Sequence, residues 1–286
     1  MSGLARATEP RVWRRFVAIG DSFTEGMCDE DPRSPDRYVG WADRLAVHLA
    51  GIAGAHGQQL EYANFAVRGR LLDDIVGPQL QRALALEPDL VSLVGGGNDI
   101  LANHGHVEGI AERLDAAVER IRATGADVLL VTPVDPREAP LIRRTRERAA
   151  AFAADIWAIA NHHRCHVVDQ WTFAALRDWR MWHEDRIHMS PEGHRRVALA
   201  ALDALGHPTD RSDWRDPLPP LPEVPWRHTA AADARWLRIH LAPWLIRRAR
   251  GRSTFADLGP KSTGLTVIGP AEPHEPSPRH PVIGPG

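Results

Sequence analysis

Five short apolar runs recur between Arg15 and Asp169, each followed by a longer polar or amphipathic stretch. The runs are Arg15–Ile19, Leu60–Phe65, Asp89–Val94, Asp127–Thr132 and His166–Asp169. They are rich in Val, Leu and Ile and show little polar alternation, the pattern of strands covered on both faces. Between them, Val39–Ala50, Leu71–Leu86, Val107–Ala123 and Ala139–His162 carry helical spacing. A β-α-β-α order requires right-handed crossovers, with helices on both faces of the sheet. The expected fold is α/β, a three-layer α/β/α sandwich around a five-stranded parallel sheet. Ligands in such folds bind beyond the carboxyl ends of the strands. Ser22, Gly69 and Asn98 each lie just after one of these runs.

The pattern stops near Gly206, which divides the chain into an expected α/β domain, 1–208, and an appendage, 209–286. Asp210 to Pro225 carries five prolines and reads as a linker. Thr229–Arg250 has Leu237, Leu241 and Leu245 at helical spacing, with Pro243 as a kink. From Trp226 to Arg252, seven arginines stand against one acid, Asp233. Three readings stay open for this basic helix: packing on the domain, a lid, or peripheral contact with an anionic membrane. From Gly259 onward the chain is rich in Pro and Gly and is expected to lack structure.

The formal net charge of −2 offers no field for nucleic acid. Cys28 and Cys165 form no C-x-x-C pair, so a disulfide framework is excluded and free thiols are expected. No apolar run reaches the length of a membrane span. Met1 to Arg15 lacks the apolar core of a secretory signal, so the expected location is cytoplasmic.

Gly20-Asp21-Ser22-Phe23 closes the first apolar run. Alone, Ser22 there reads as readily as a turn or helix cap. It does not sit in G-x-S-x-G, which argues against an α/β-hydrolase elbow. Asn98 lies in Gly95-Gly96-Gly97-Asn98-Asp99. An amide on that turn can donate to a developing oxyanion, or simply occupy a left-handed turn position. Gly69, after Asn64-Phe65-Ala66-Val67-Arg68, can present its N–H to a pocket or merely turn the chain.

Asp185 and His188 stand three apart, just ahead of Ser190-Pro191. Ser190 and Pro191 read as N-cap and N1 of a helix running to about Leu205. Asp185 can reach Nδ1 of His188 and fix the tautomer whose Nε2 accepts a proton. His183 and His194 lack such a carboxylate and read as loop and helix-surface residues. Asn161-His162-His163-Arg164-Cys165-His166 falls at a helix-to-strand junction without zinc spacing, so no metal is expected. Arg68 and Arg70 could attract an anionic substrate group or be solvated loop charges. Trp179 and Trp182 could wall an acyl pocket or pack the loop.

Taken in order, these four segments resemble the sequence blocks of the SGNH hydrolases, also called GDSL esterases or lipases. The resemblance runs from about Phe16 to Leu205, with Phe23 where the family usually has Leu. It implies a flavodoxin-like fold with Ser22 as nucleophile, His188 as general base and later acid, and Asp185 as orienting carboxylate. It also implies an oxyanion hole built from the N–H groups of Ser22 and Gly69 and the side-chain amide of Asn98, and no metal or organic cofactor. The expected function is a serine esterase or acylhydrolase acting on small carboxylic esters through an acyl-enzyme. Two alternatives stand beside it: an acyltransferase to a sugar or other small alcohol using the same residues, and a catalytically silent binding protein. Arg68, Arg70 and Trp182 are the expected substrate contacts. Acyl length, alcohol and oligomeric state are not readable from the sequence.

Overall fold

A computed structural model describes residues 10–32, 34–102, 106–139, 142–220 and 258–269. Its first half runs β1 (Arg15–Ile19), α1 (Ser22–Glu25), β2 (Glu30–Asp31), β3 (Ser34–Tyr38), α2 (Gly40–Ala55), β4 (Leu60–Asn64), α3 (Leu72–Asp74) and α4 (Leu80–Leu84). Then follow β5 (Leu90–Leu93), α5 (Gly97–Ala102), α6 (Val107–Arg122), β6 (Asp127–Val131), α7 (Arg146–His163), β7 (His166–Val168), α8 (Pro191–Ala204), α9 (Arg211–Trp214) and β8 (Thr266–Ile268).

The main sheet has the order β7-β6-β5-β1-β4-β8. Its five parallel strands, taken in chain order, wind 2-1-3-4-5, the flavodoxin-like arrangement. β1 shows why three layers form. Phe16 and Ala18 enter one core with Trp41 and Leu45 of α2 and Val197 of α8. Val17 and Ile19 enter the other with Ile110 and Leu114 of α6 and Phe152 of α7. All four strand residues are fully buried, and successive side chains of a strand point to opposite faces.

The expected strands form within a residue or so of their predicted ends, but two helical stretches do not. Leu71–Leu86 is split by a π-turn, Ile75–Gln79, that contains Pro78. Proline lacks the N–H that an α-helix needs at that position, and the wider turn absorbs the defect. The stretch from Ala139 becomes regular α-helix only at Arg146, after a 3₁₀ turn, Arg143–Thr145.

The sheet has six strands rather than five. Thr266–Ile268 pairs antiparallel with β4, matching Leu60 to Ile268 and Tyr62 to Thr266. The segment expected to be structureless therefore carries a strand. Without it β4 would present an unpaired edge, and the three β-compatible residues Thr266-Val267-Ile268 supply the missing partners. Part of the proline-rich linker is also structured. Asp210 caps α9, and Trp214 is buried with its ring 5.2 Å from Phe173. Buried Arg196 donates to the carbonyls of Trp214 and Asp216. The helix expected at Thr229–Arg250 lies outside the described residues. No helix among them is long and apolar enough to cross a membrane. Cys28 and Cys165 are both free thiols.

Candidate active site

Ser22 begins α1 directly beyond β1, and Asn98 lies in the first turn of α5 beyond β5. The strand order reverses between these two strands, which is where doubly wound sheets bind ligands. Several contacts fix the turn that carries Ser22. Asp21 caps α1 through its carboxylate, which accepts from the Phe23 N–H at 3.0 Å. Buried Gln79, at the end of the π-turn, accepts from the Gly20 N–H (2.8 Å) and donates to the Gly20 carbonyl (2.9 Å). Gly26 ends α1 with φ 90°, and its Cα lies so close to Gly40 that a Cβ would collide with that backbone.

Asp185 and His188 ride on a tight loop. The His183 N–H donates to the His188 carbonyl at 2.8 Å, and the Ser190 N–H to the Met181 carbonyl at 2.9 Å. Ser190 then caps α8, accepting from the Gly193 N–H at 3.3 Å. Gly193 is required there, because a Cβ would run into the Met181 carbonyl.

The loop brings three side chains into line. His188 Nε2 lies 3.1 Å from Ser22 Oγ, across 166 residues of sequence. His188 Nδ1 lies 2.6 Å from Asp185 Oδ2. Asp185 Oδ1 accepts from the N–H groups of Ile187 and His188, each at 3.0 Å. Burial alone would raise the Asp185 carboxyl, but the His188 imidazole and these two N–H groups outweigh it and hold it well below the ordinary carboxylate range. An ionised carboxylate only accepts, so Nδ1 carries the proton and the Nε2 lone pair faces Ser22. This geometry can move a proton off the serine hydroxyl.

Cys28, with φ 73°, points its thiol at Asp185 Oδ2 from 3.9 Å. Burial, followed by the Asp185 charge, pushes that thiol up to about 12. Cys28, His183 and Asp185 offer ligand atoms within 4.8 Å of one another, but both Asp185 oxygens already accept N–H bonds. In the histidine-rich stretch weighed as a metal site, His163 pairs with Asp115 and His166 Nδ1 meets the Ala204 carbonyl.

His194 is not on the helix surface as expected. It is buried, stacks on Phe23 at 5.9 Å between ring centres, and is pushed down to about 3 by burial. Its Nε2 faces the Met27 carbonyl, so it does not serve Ser22.

Gly69 adopts the left-handed conformation, φ 76°. Among the described residues, no acceptor takes the N–H of Ser22 or of Gly69. Asn98 is at the site, but its amide nitrogen is engaged. It donates to the Arg70 carbonyl at 2.9 Å and to Asp21 Oδ2 at 3.3 Å. Arg68 is also committed elsewhere. Its side chain and N–H clamp Glu25, and its guanidinium lies 4.9 Å from the Tyr38 ring centre. It therefore fastens α1 to the Gly69 turn. Arg70 reaches Asp74 at 3.9 Å. Trp182 donates from Nε1 to the Leu176 carbonyl and lines a concave surface with Val134, Trp179 and Arg186.

Sequence reasoning missed Asp21 and Gln79. Burial raises the Asp21 carboxyl to about 6, against the Phe23 N–H that lowers it. Its position between Gly20 and Ser22 gives no hint that it meets Asn98. For Gln79 the available signal was Pro78, which marks a helix that cannot be regular.

The model of the GDSL-like Lipase/Acylhydrolase family matches residues 18–196. A search of curated proteins finds no match. LAE5, an alpha/beta hydrolase enzyme from the metagenome of Lake Arreo, Spain, is 24% identical over 68% of this chain and 95% of its own, with a TM-score of 0.57. The acetylxylan esterase Axe2 from Geobacillus stearothermophilus is 20% identical over 68% of this chain and 95% of its own, with a TM-score of 0.55. TesA is 22% identical over 67% and 98%, with a TM-score of 0.54. At these identities the structural likeness is one of fold. The family match spans more than half the sequence, and the chain belongs to the GDSL-like lipase/acylhydrolase family of hydrolases.

Proposed function

We propose that the protein is a serine esterase that hydrolyses small carboxylic esters through an acyl-enzyme on Ser22. One observation carries the reading: the unbroken hydrogen-bond chain from Ser22 Oγ through His188 to Asp185. Ser22 Oγ attacks the ester carbonyl while His188 Nε2 takes its proton, and Asp185 balances the imidazolium. The N–H groups of Ser22 and Gly69 are the first donors to the oxyanion. Asn98 joins them when its side-chain amide rotates as a unit off Asp21, its longer bond, and aims that N–H at the new charge. Collapse breaks the C–O bond, and His188 returns its proton to the departing alcohol. Water then attacks the acyl group with His188 again as base, releasing the acid and restoring Ser22.

Axe2 is an acetylxylan esterase, so acetyl esters are the first substrates to try. The test is release of free acid from p-nitrophenyl esters of graded acyl length, by the wild type and by Ser22→Ala. Turnover in Ser22→Ala should fall by about 10⁴-fold or more. Turnover near the wild-type rate would rule the reading out. Adding a candidate alcohol and finding acylated alcohol in place of free acid would assign the protein as a transferase.

A further inference from the structure

Residues 258–269 lie outside the family match, yet they reach the helix that carries Ser22. The Ser262 N–H donates to the Asn64 carbonyl, and the Asn64 N–H to Ser262 Oγ, both at 2.9 Å. This sets Lys261 under α1, with only 15% of its side chain exposed. Its ammonium donates to the carbonyls of Glu25 (2.8 Å) and Val39 (3.1 Å) and to Asp43 Oδ2 (2.7 Å). An ammonium has three donors, and all three are used. Glu25 is the last residue of α1, Val39 immediately precedes α2, and Asp43 lies in the first turn of α2. The ammonium thus ties the two helices together beside the Gly26–Gly40 contact. Asn64, itself held by Ser262, donates to the Thr24 carbonyl at 2.8 Å. Lys261 directly, and Asn64 of β4 beside it, therefore hold two successive carbonyls of α1. A helix of four residues has almost no internal hydrogen bonding to keep its own shape.

We infer that Lys261 is a positioning residue for Ser22, an inference that rests on Ser22 being the nucleophile. By holding the Glu25 carbonyl, it keeps Ser22 Oγ in reach of His188 Nε2. Lys261→Met leaves the Glu25 and Val39 carbonyls without this donor and Asp43 without a counter-charge.

The test uses the full chain as Lys261→Met, Lys261→Arg, Asp43→Asn and the double variant Lys261→Met/Asp43→Asn. Melting temperature, kcat, KM and the rate of Ser22 labelling by a fluorophosphonate are measured on each. In Lys261→Met, kcat and labelling fall by about 10- to 10²-fold with KM little changed. Lys261→Arg recovers part of that loss. The double variant regains melting temperature, because the unpaired carboxylate is gone, but not kcat, because the Glu25 carbonyl still lacks its donor. A folded double variant with the kcat and labelling rate of Asp43→Asn would overturn the inference. It decides the matter even if Lys261→Met alone fails to fold. Wild-type turnover in Ser22→Ala would instead overturn the proposed function.

Discussion

Replacing Asp185 by asparagine tests the proton path through His188 with a near-isosteric change. Asp185 Oδ1 accepts two backbone N–H groups, so the amide oxygen of the substituted side chain must occupy that position. Its NH₂ then takes the Oδ2 position, 2.6 Å from His188 Nδ1. Two donors cannot face each other at that distance, so His188 is driven to the tautomer with its proton on Nε2. That proton points at Ser22 Oγ, and the ring can no longer accept from the serine. A loss of about 10⁴ in kcat is expected, equivalent to about 5 kcal/mol of transition-state stabilisation. KM should change little, because Asp185 is turned toward His188. The assay is initial-rate hydrolysis of p-nitrophenyl acetate over a range of concentrations, with circular dichroism to confirm folding. A folded variant with kcat within tenfold of wild type would refute the assigned role.

Arg68→Ala releases Glu25 and should cost about 2–3 kcal/mol by chemical denaturation, because both side chains keep only slight solvent contact. An anionic substrate analogue should bind this variant as it binds wild type; weaker binding would return Arg68 to the substrate site. Gly193→Ala forces a Cβ against the Met181 carbonyl, and overpacking of this kind typically costs about 1–3 kcal/mol. Because the strain falls on the Asp185–His188 loop, kcat should drop with it; unchanged kcat and stability would show that the loop yields freely. His194 is pushed from 6.5 to about 3, so the unfolded chain binds a proton that the native state refuses. Its contribution is complete above pH 6.5 and is lost as pH falls toward 3, by up to about 1.4 kcal/mol per pH unit. His194→Phe should therefore lose less stability than wild type between pH 6.5 and 4, measured as the denaturation midpoint at each pH.

The parts of the fold legible in the sequence are those fixed by burial on both faces. Phe16-Val17-Ala18-Ile19 has no polar member, the composition of a strand covered on both faces. β8 was not legible. Three residues at a sheet edge need no apolar run, and Val267 is 52% exposed. Its partner β4 lies some two hundred residues upstream. The proposed nucleophile, base and carboxylate were marked by local features: Ser22 by the end of a strand, His188 by Asp185 and the Ser190 cap. What surrounds them was not, because side-chain direction is decided by packing. Nothing local separates Arg68, spent on Glu25, from an arginine that faces substrate. His194 reads as exposed from α8 alone, because Phe23, on which it stacks, is far away in sequence. Lys261 stands in a stretch whose composition suggested no structure at all.

The central claim is that the acyl group passes through Ser22, and trapping it is the most direct test. Enzyme mixed with p-nitrophenyl acetate is quenched in acid within the first turnovers, digested and analysed by mass spectrometry. One acetyl group should appear on the peptide containing Ser22 and decay on incubation at neutral pH before the quench. It should accumulate in the wild type and be absent from Ser22→Ala. Acetate release at the wild-type rate with no acetyl on Ser22, or with the acetyl on another residue, would contradict the account.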